Sequence, residues 1–463
     1  MTSPDVTEVN DVNGPESAGD PRANEAAGGA AGVAPVPAQE ELAEASSAAG
    51  GGWSADGADG SGAVTDHSRA QLEDEAIALP SGGEKAEKAT RAHRARSFEV
   101  SDFERPSTKM EEWRFTPLRV MAPLFEDAAT DVRGEDDHPV MYEVETPAEI
   151  AVGTLAPGEA PRGTALVPES LVSAVASERC ADALHLKAAK NTEIAEPARV
   201  AVAGQGADRR GNAHIVLETE ESSVATFVVH HTGSAQFAEN VELIVGANSQ
   251  MTVIALQDWD DDALHIATHH AKLGRDARLK HIVVSLGGRA VRVDVIGELV
   301  EPGAEIENLG LYFADADQYL EHRLFVDHAA PRCTSNSTYK GALQGKGARS
   351  VWVGDVLIRK EAEGTNTYEL NRNLVLTEGA RADSVPNLEI ETGEIEGAGH
   401  AAATGRFDDE QLFYLRARGI PEIEARRLVV RGFFAELIQQ IDVPEIREHL
   451  SDAIEAELAR SMN

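Results

Sequence analysis

VELIVGANSQMTVIAL, residues 241–256, decides the fold: an apolar run, a small turn at Gly246-Ala247-Asn248 and a second apolar run, with almost no helical period. The same phrase returns, reworded, as AKLGRDARLKHIVVSL at 271–286, GELVEPGAEIENLGLYF at 297–313, LQGKGARSVWVGDVLI at 343–358 and NLVLTEGARADSVPNLEI at 373–390. Ala247, Ala277, Ala304, Ala348 and Ala380, which follow the turns, are spaced by 30, 27, 44 and 32 residues. A spacing near thirty suits one coil of a solenoid of two or three short strands, and the long interval suits a coil carrying an insertion. A β-sandwich, with strands at intervals of roughly 8–12 residues, is the competing architecture. The pattern favours a parallel β-helix. The terminal coils of such a solenoid leave strand edges with unpaired backbone groups, which a helix, a loop or another subunit must cover.

Outward from this core, the chain is expected to be mainly β, with the β-helix over 196–400 and helical parts on both sides. Residues 1–83 are rich in Ala, Gly, Ser, Pro and acids and predict a disordered tail, because they hold too little apolar surface to offset chain entropy. Residues 84–195 read as a mixed helical region. GEKAEKATRAHRARSFEV at 83–100 suggests a basic Ala-rich helix, Trp113, Phe115 and Leu118 are apolar anchors for the core, and LVSAVASERCADALHLKAA at 171–189 suggests another helix. Residues 401–463 form a helical domain with apolar positions at Leu412, Leu415, Val429, Phe433, Leu437, Ile441, Leu450, Ile454 and Leu458, punctuated by Pro421 and Pro444.

The junction between strands and helices carries a histidine: GHAAATGRFDDEQLFYLRARGI at 399–420. Asp408 or Asp409 can cap the following helix, Gly419 ends it and Pro421 opens the next. His400 sits where a rigid scaffold can present it to a partner, either as a solvated structural residue or as a ligand or proton carrier. The helices that follow either pack on the solenoid or offer a docking surface.

Charge and composition exclude several functions. With 79 acidic against 42 basic residues the net charge is -37, which argues against nucleic acid or an anionic membrane as partner, although the tail inflates it: the first fifty residues hold nine acids and one Arg. Only Cys180 and Cys333 occur, without a CxxC pair, and no 18-residue apolar run or secretory leader is seen, so a cytoplasmic protein is expected. Cys333 reads as a small buried residue rather than a reactive thiol. No GxSxG elbow, GxxxxGK[ST] loop or GxGxxG loop is present, so this chain is expected to bind no nucleotide. His265, His269 and His270 in LHIATHH lie in strand-like text, where residues four apart stand about 13 Å apart and cannot share an ion. His230 and His231 in VVHHTG, at a strand end, are likewise not read as a metal site.

EEWRFTPL at 111–118, the coil NRNLVLTEGARADSVPNLEI at 371–390, the His400 run and EARRLVVRGFFAEL at 424–437 together resemble the SufB/SufD family of the SUF iron–sulfur cluster assembly system, on its SufD side. The resemblance spans about residues 95–455. It implies a right-handed parallel β-helix and a non-enzymatic scaffold subunit that pairs with a SufB-like subunit. A SufC-like ATPase would dock on the C-terminal helices, for which Phe433, Phe434 and Leu437 are the candidates, and ATPase activity would belong to that partner. It further implies that His400 is an iron or cluster ligand at the partner interface, acting with a SufB cysteine on a transient iron–sulfur cluster shared between subunits, and it allows a homodimer of the isolated chain. Two departures bear on this. Ala398 stands where some SufD proteins have cysteine, and near Asn371, where SufB carries its essential cysteine, this chain has none. Both favour SufD over a SufB-like paralogue, with the thiolate supplied by the partner. A solenoid carbohydrate-active enzyme is the alternative from another class.

Overall fold

The structure is a computed structural model that describes residues 94–134, 137–407 and 409–460. The chain divides into two units, Met1–Ser81 and Gly82–Asn463, and all described residues belong to the second. The acidic tail, Asp408 and most of the basic helix expected over 83–100 therefore lie outside the described residues. The described end of that segment, 94–99, is not helical. Tertiary contacts hold it: Arg96 bridges Glu169 at 2.8 Å and Glu298 at 2.7 Å, and the Ser97 amide donates to the Pro168 carbonyl at 3.0 Å.

Beyond it, three short 3-10 turns lead to strands β1 (Val140–Glu145) and β2 (Ile150–Leu155), helix α1 (Leu171–Glu178) and strand β3 (Ala183–Ala188). The helix expected over 171–189 thus ends early. Ala183–Ala188 is drawn into a sheet, antiparallel to β2 and parallel to β4 (Ala198–Thr219), and its alternating apolar positions suit that pairing.

Two long strands, β4 and β5 (Val224–Val245), each run along both faces of the solenoid, and the later coils split into pairs. One ladder continues from β5 through β6 (Gln250–Trp259), β8 (Arg278–Ser285), β10 (Glu305–Ala314), β12 (Thr334–Leu343), β14 (Thr365–Val375) and β16 (Ile395–Arg406). The other runs from β5 through β7 (Leu264–Leu273), β9 (Ala290–Leu299), β11 (Tyr319–His328), β13 (Arg349–Ile358) and β15 (Arg381–Ile390). All pairs from β3 onward are parallel or, for β2 and β1, antiparallel additions at the first coils. The result is a parallel β-helix of about eight turns. Gln250, Arg278, Glu305, Thr334 and Asn366 stand in one column.

The column explains the odd spacing of the repeat. Ala277 and Ala304 precede strands of one ladder, whereas Ala348 and Ala380 precede β13 and β15 of the other. The 44-residue interval is therefore a step from one ladder to the other and contains no insertion. Cys333, directly before β12, takes the next place in the first column; it is fully buried, with its Sγ 3.4 Å from the Glu301 carbonyl.

Both faces of most strands are covered, which is why they read as continuous apolar runs. Alternate residues point into a lumen packed with Val253, Val283, Val293, Leu324 and Val326 among others. The outer face of the ladder containing β6, β8 and β10 carries Ile254, Leu256, Ile282, Val284, Leu309, Leu311 and Phe313, and these meet the C-terminal helices. The outer face of the other ladder meets α1 and the segment around Trp113, Met121, Leu124 and Phe125. Trp113 is buried as expected, with the guanidinium of buried Arg292 3.9 Å from its ring centre.

The C-terminal helices are α2 (Asp409–Ala417), α3 (Glu422–Gln439) and α4 (Pro444–Arg460). Gly419, at φ +88°, ends α2: its amide reaches the Arg416 carbonyl at 2.9 Å and the Ile420 amide reaches Leu415 at 3.3 Å. The buried face of α3 is Ala425, Val430, Phe434 and Leu437, with Ile441 buried just past its end; Val430 and Phe434 stand one residue on from the expected Val429 and Phe433. Among the described residues no helix is long and apolar enough to cross a membrane.

In the lumen, aromatic rings stack against glycines of the neighbouring coil. Tyr312 lies in register with Gly341 and Tyr339 with Gly310, and a Cβ at either glycine would overlap the tyrosine ring. Gly341→Ala is expected to destabilise the chain by about 1–3 kcal/mol, the usual cost of overpacking a tight core, measured by urea unfolding. A matching Tyr312→Leu, which vacates the ring's place, should recover part of that loss.

Candidate functional site at the last coil

β15 and β16 end the strand order, so each has one edge with no further strand among the described residues. His400 lies inside β16, in register with Glu369 of β14, and its side chain is exposed. The strand continues to Arg406, so the junction with the helices falls after His400 rather than at it. An imidazole held by a strand has a fixed backbone behind it, which a loop would not provide.

Beneath His400 the interior is polar. Residues in register across parallel strands project to the same side, so Glu369 occupies the floor of this end of the lumen. Glu369 is 1% exposed, and neither of its carboxylate oxygens has a hydrogen-bond partner. Burial, with the nearby Asp355 carboxylate adding to it, pushes its pKa up to about 8, so that it is mostly an uncharged acid at neutral pH. Alongside it, the Tyr312 hydroxyl donates to Asn373 Oδ1 at 2.6 Å and accepts from Asn371 Nδ2 at 2.9 Å. Ser384 of β15 donates to Asn371 Oδ1 at 2.5 Å, and Asn373 Nδ2 reaches Thr404 Oγ1 on the His400 strand at 3.4 Å. Ala398, where a cysteine was considered, is half-buried, and Asn371 is fully buried in this network.

The polar interior extends far down the solenoid. His322 Nε2 meets the Ser285 hydroxyl at 2.9 Å, which donates to Gln257 Oε1 at 3.0 Å, while His269 and His281 share a hydrogen bond of 2.9 Å. Further along, His231 and His265 flank the Glu239 carboxylate at 3.0 and 3.6 Å, all three fully buried. Spacing within one strand gave no reason to join them. They meet because β5 folds back on itself across the lumen and β7 stacks on it. His269 faces the lumen away from a common ion site, and His270 turns outward to Glu298 at 3.4 Å.

No thiol serves the last coil. Cys180 and Cys333 are free and buried, and burial raises both thiol pKa values. What the site offers an incoming metal is one exposed imidazole nitrogen with a neutral carboxylic acid below it. Remaining ligands for iron or a cluster would have to come from outside this chain.

The C-terminal candidates divide. Phe434 and Leu437 are buried against the solenoid, and Phe433 is half-buried, with Lys340 Nζ bonded to its carbonyl at 3.1 Å and to Glu436 at 2.8 Å. Phe434 and Leu437 therefore attach α3 to the strands, each worth about 1.5–3 kcal/mol of burial, and do not face a partner. Phe413, Tyr414, Ile423 and Leu428 on α2 and α3 are the exposed apolar residues there.

Residues 202–433 match the family model described as SUF system FeS cluster assembly, SufBD core domain. An iron-sulfur cluster assembly SufBD family protein of Mycobacterium bovis is 50% identical over 372 residues, covering 78% of this chain and 91% of the relative. An iron-sulfur cluster assembly SufBD family protein of Mycobacterium leprae is 49% identical over 368 residues, covering 78% of this chain and 93% of the relative. The iron-sulfur cluster assembly protein SufD of Escherichia coli is 28% identical over 233 residues, 49% of this chain and 54% of that protein. The chain belongs to the SufBD family of iron–sulfur cluster assembly proteins.

The buried histidines give a pH dependence with a definite sign. Burial, aided by His281, holds the His322 pKa at about 3, below its ordinary 6.5, so the unfolded chain binds the extra proton. His322 thus contributes stability that is present above about pH 6.5 and is lost as pH falls toward its folded value, at most ~1.4 kcal/mol per unit. His322→Gln is expected to flatten the stability profile between about pH 6.5 and pH 4, read from urea unfolding midpoints; an unchanged slope would show that His322 is not held neutral.

Proposed function

We propose that the chain is a SufD-type scaffold subunit, not itself an enzyme, that pairs with a SufB-like subunit through the free edges of its last coil. The observation that carries this reading is the exposed His400 on an edge strand, in a SufBD-family solenoid whose only two thiols are buried away from it. A partner strand on that edge would satisfy its free backbone groups and bring outside ligands to the imidazole. Iron and the nascent cluster are cargo in this scheme: His400 supplies one nitrogen and the SufB-like partner the thiolate. The absence of exposed cysteine supports the SufD rather than the SufB role.

A SufC-like ATPase would dock on the exposed apolar side of α2 and α3, at Phe413, Tyr414, Ile423 and Leu428. This surface replaces the one first expected at Phe433, Phe434 and Leu437. The adjoining polar groups, Arg416, Glu422 and Arg426, are bridged at 3.3 and 3.1 Å and would frame the contact.

His400→Ala is expected to leave the assembled complex intact and to lower its iron and sulfide content several-fold after reconstitution. Cluster yield equal to wild type would reduce His400 to a surface residue. Separately, Phe413→Glu combined with Leu428→Glu should abolish co-purification with a SufC-like ATPase while far-UV circular dichroism stays unchanged. Full retention of the ATPase would place its dock elsewhere.

A further inference from the structure

His230 on β5, Asp258 on β6 and His449 on α4 converge on the outer surface of the solenoid, where the last helix crosses the first coils. His449 Nε2 lies 2.9 Å from Asp258 Oδ2, and His230 Nε2 lies 3.6 Å from the same oxygen. The two rings stand edge to face with centroids 5.3 Å apart, and all three ligand atoms are within 4.8 Å of one another. We propose that His230, Asp258 and His449 form a binding site for a divalent transition ion of the zinc type, which latches α4 onto the β-helix.

The ligand set and its spacing carry the argument. An ion bound at 2.0–2.2 Å to nitrogen and oxygen ligands holds those ligands roughly 3.0–3.6 Å apart. The two separations from Asp258 span that range, so modest closure of the imidazoles around one ion completes the geometry. Two imidazoles and one carboxylate suit zinc or ferrous iron, and disfavour magnesium and calcium, which prefer oxygen.

His230 supplies a second observation. Its Nε2 is buried from solvent, and hydrogen bonding leaves it unpartnered while it faces the Asp258 carboxylate. A buried nitrogen without a partner costs stability, and an ion between it and the carboxylate would remove that cost. The three side chains are 30%, 32% and 39% exposed, so the site lies close to the surface rather than in the lumen.

The site is separate from the last coil. It joins two of the first coils to a helix whose Leu450, Ile454 and Leu458 pack against the solenoid. Metal binding would therefore tighten the attachment of the C-terminal helical region, independently of any cluster chemistry at His400.

The test uses the full chain, free of any histidine tag, in a His400→Ala background that removes the other exposed imidazole of interest. Cobalt(II) is titrated and followed by its visible ligand-field absorption, and thermal unfolding is recorded with and without zinc. The expected result is one saturable site, with a raised melting temperature on adding zinc. His230→Ala should weaken cobalt binding at least tenfold and abolish the thermal shift. His449→Gln should do the same, because its amide can still donate to Asp258 but cannot replace the imidazole as ligand. An absence of saturable binding in the parent, or equal binding in both well-folded variants, would overturn the proposal.

Discussion

The parallel register of the solenoid is the constraint on which everything else depends. Each residue lies above its counterpart in the preceding coil, so a side chain that faces inward shares its space with one from the strand on either side. Tyr312 and Tyr339 are accommodated because the facing positions are Gly341 and Gly310. The polar residues obey the same rule. Tyr312, Asn371, Asn373 and Ser384 exist in the lumen as a connected set, since any one of them alone would leave buried donors or acceptors without partners.

The same geometry decides what remains for partners. The outer face of one ladder is occupied by α3 and α4, and that of the other by α1 and the Trp113 segment. The last coil and one side of α2 and α3 stay uncovered. The two proposed contacts thus fall at separate places, with backbone edges and an imidazole at one and apolar side chains at the other.

The solenoid was legible because its small turn residues recur, and the alanines before the strands marked the coils. Their 44-residue gap misled because the turns of the two ladders look alike in sequence, and because Cys333 fills the alanine's place between them. The helical face was off by one at Val429 and Phe433 because Val430 and Phe434 are apolar too, so periodicity cannot choose between adjacent candidates. His400 was visible from the motif around it. Glu369 was not, since a carboxylate in a strand ordinarily signals a solvated face. Nor could strand spacing join His231 to Glu239 and His265, or His230 to Asp258 and His449, which are neighbours only through the stacking of coils and the return of the last helix.

The strand order also has a direction in time. Coils follow one another in chain order, each resting on the one before, and β16 has only β14 to pair with. During synthesis the strand bearing His400 is laid down after every coil beneath it is available as a template. The imidazole therefore comes after every coil of the solenoid and before the helices that cover its outer face, and a chain cut short before its final half-coil ends in a different edge, without the histidine.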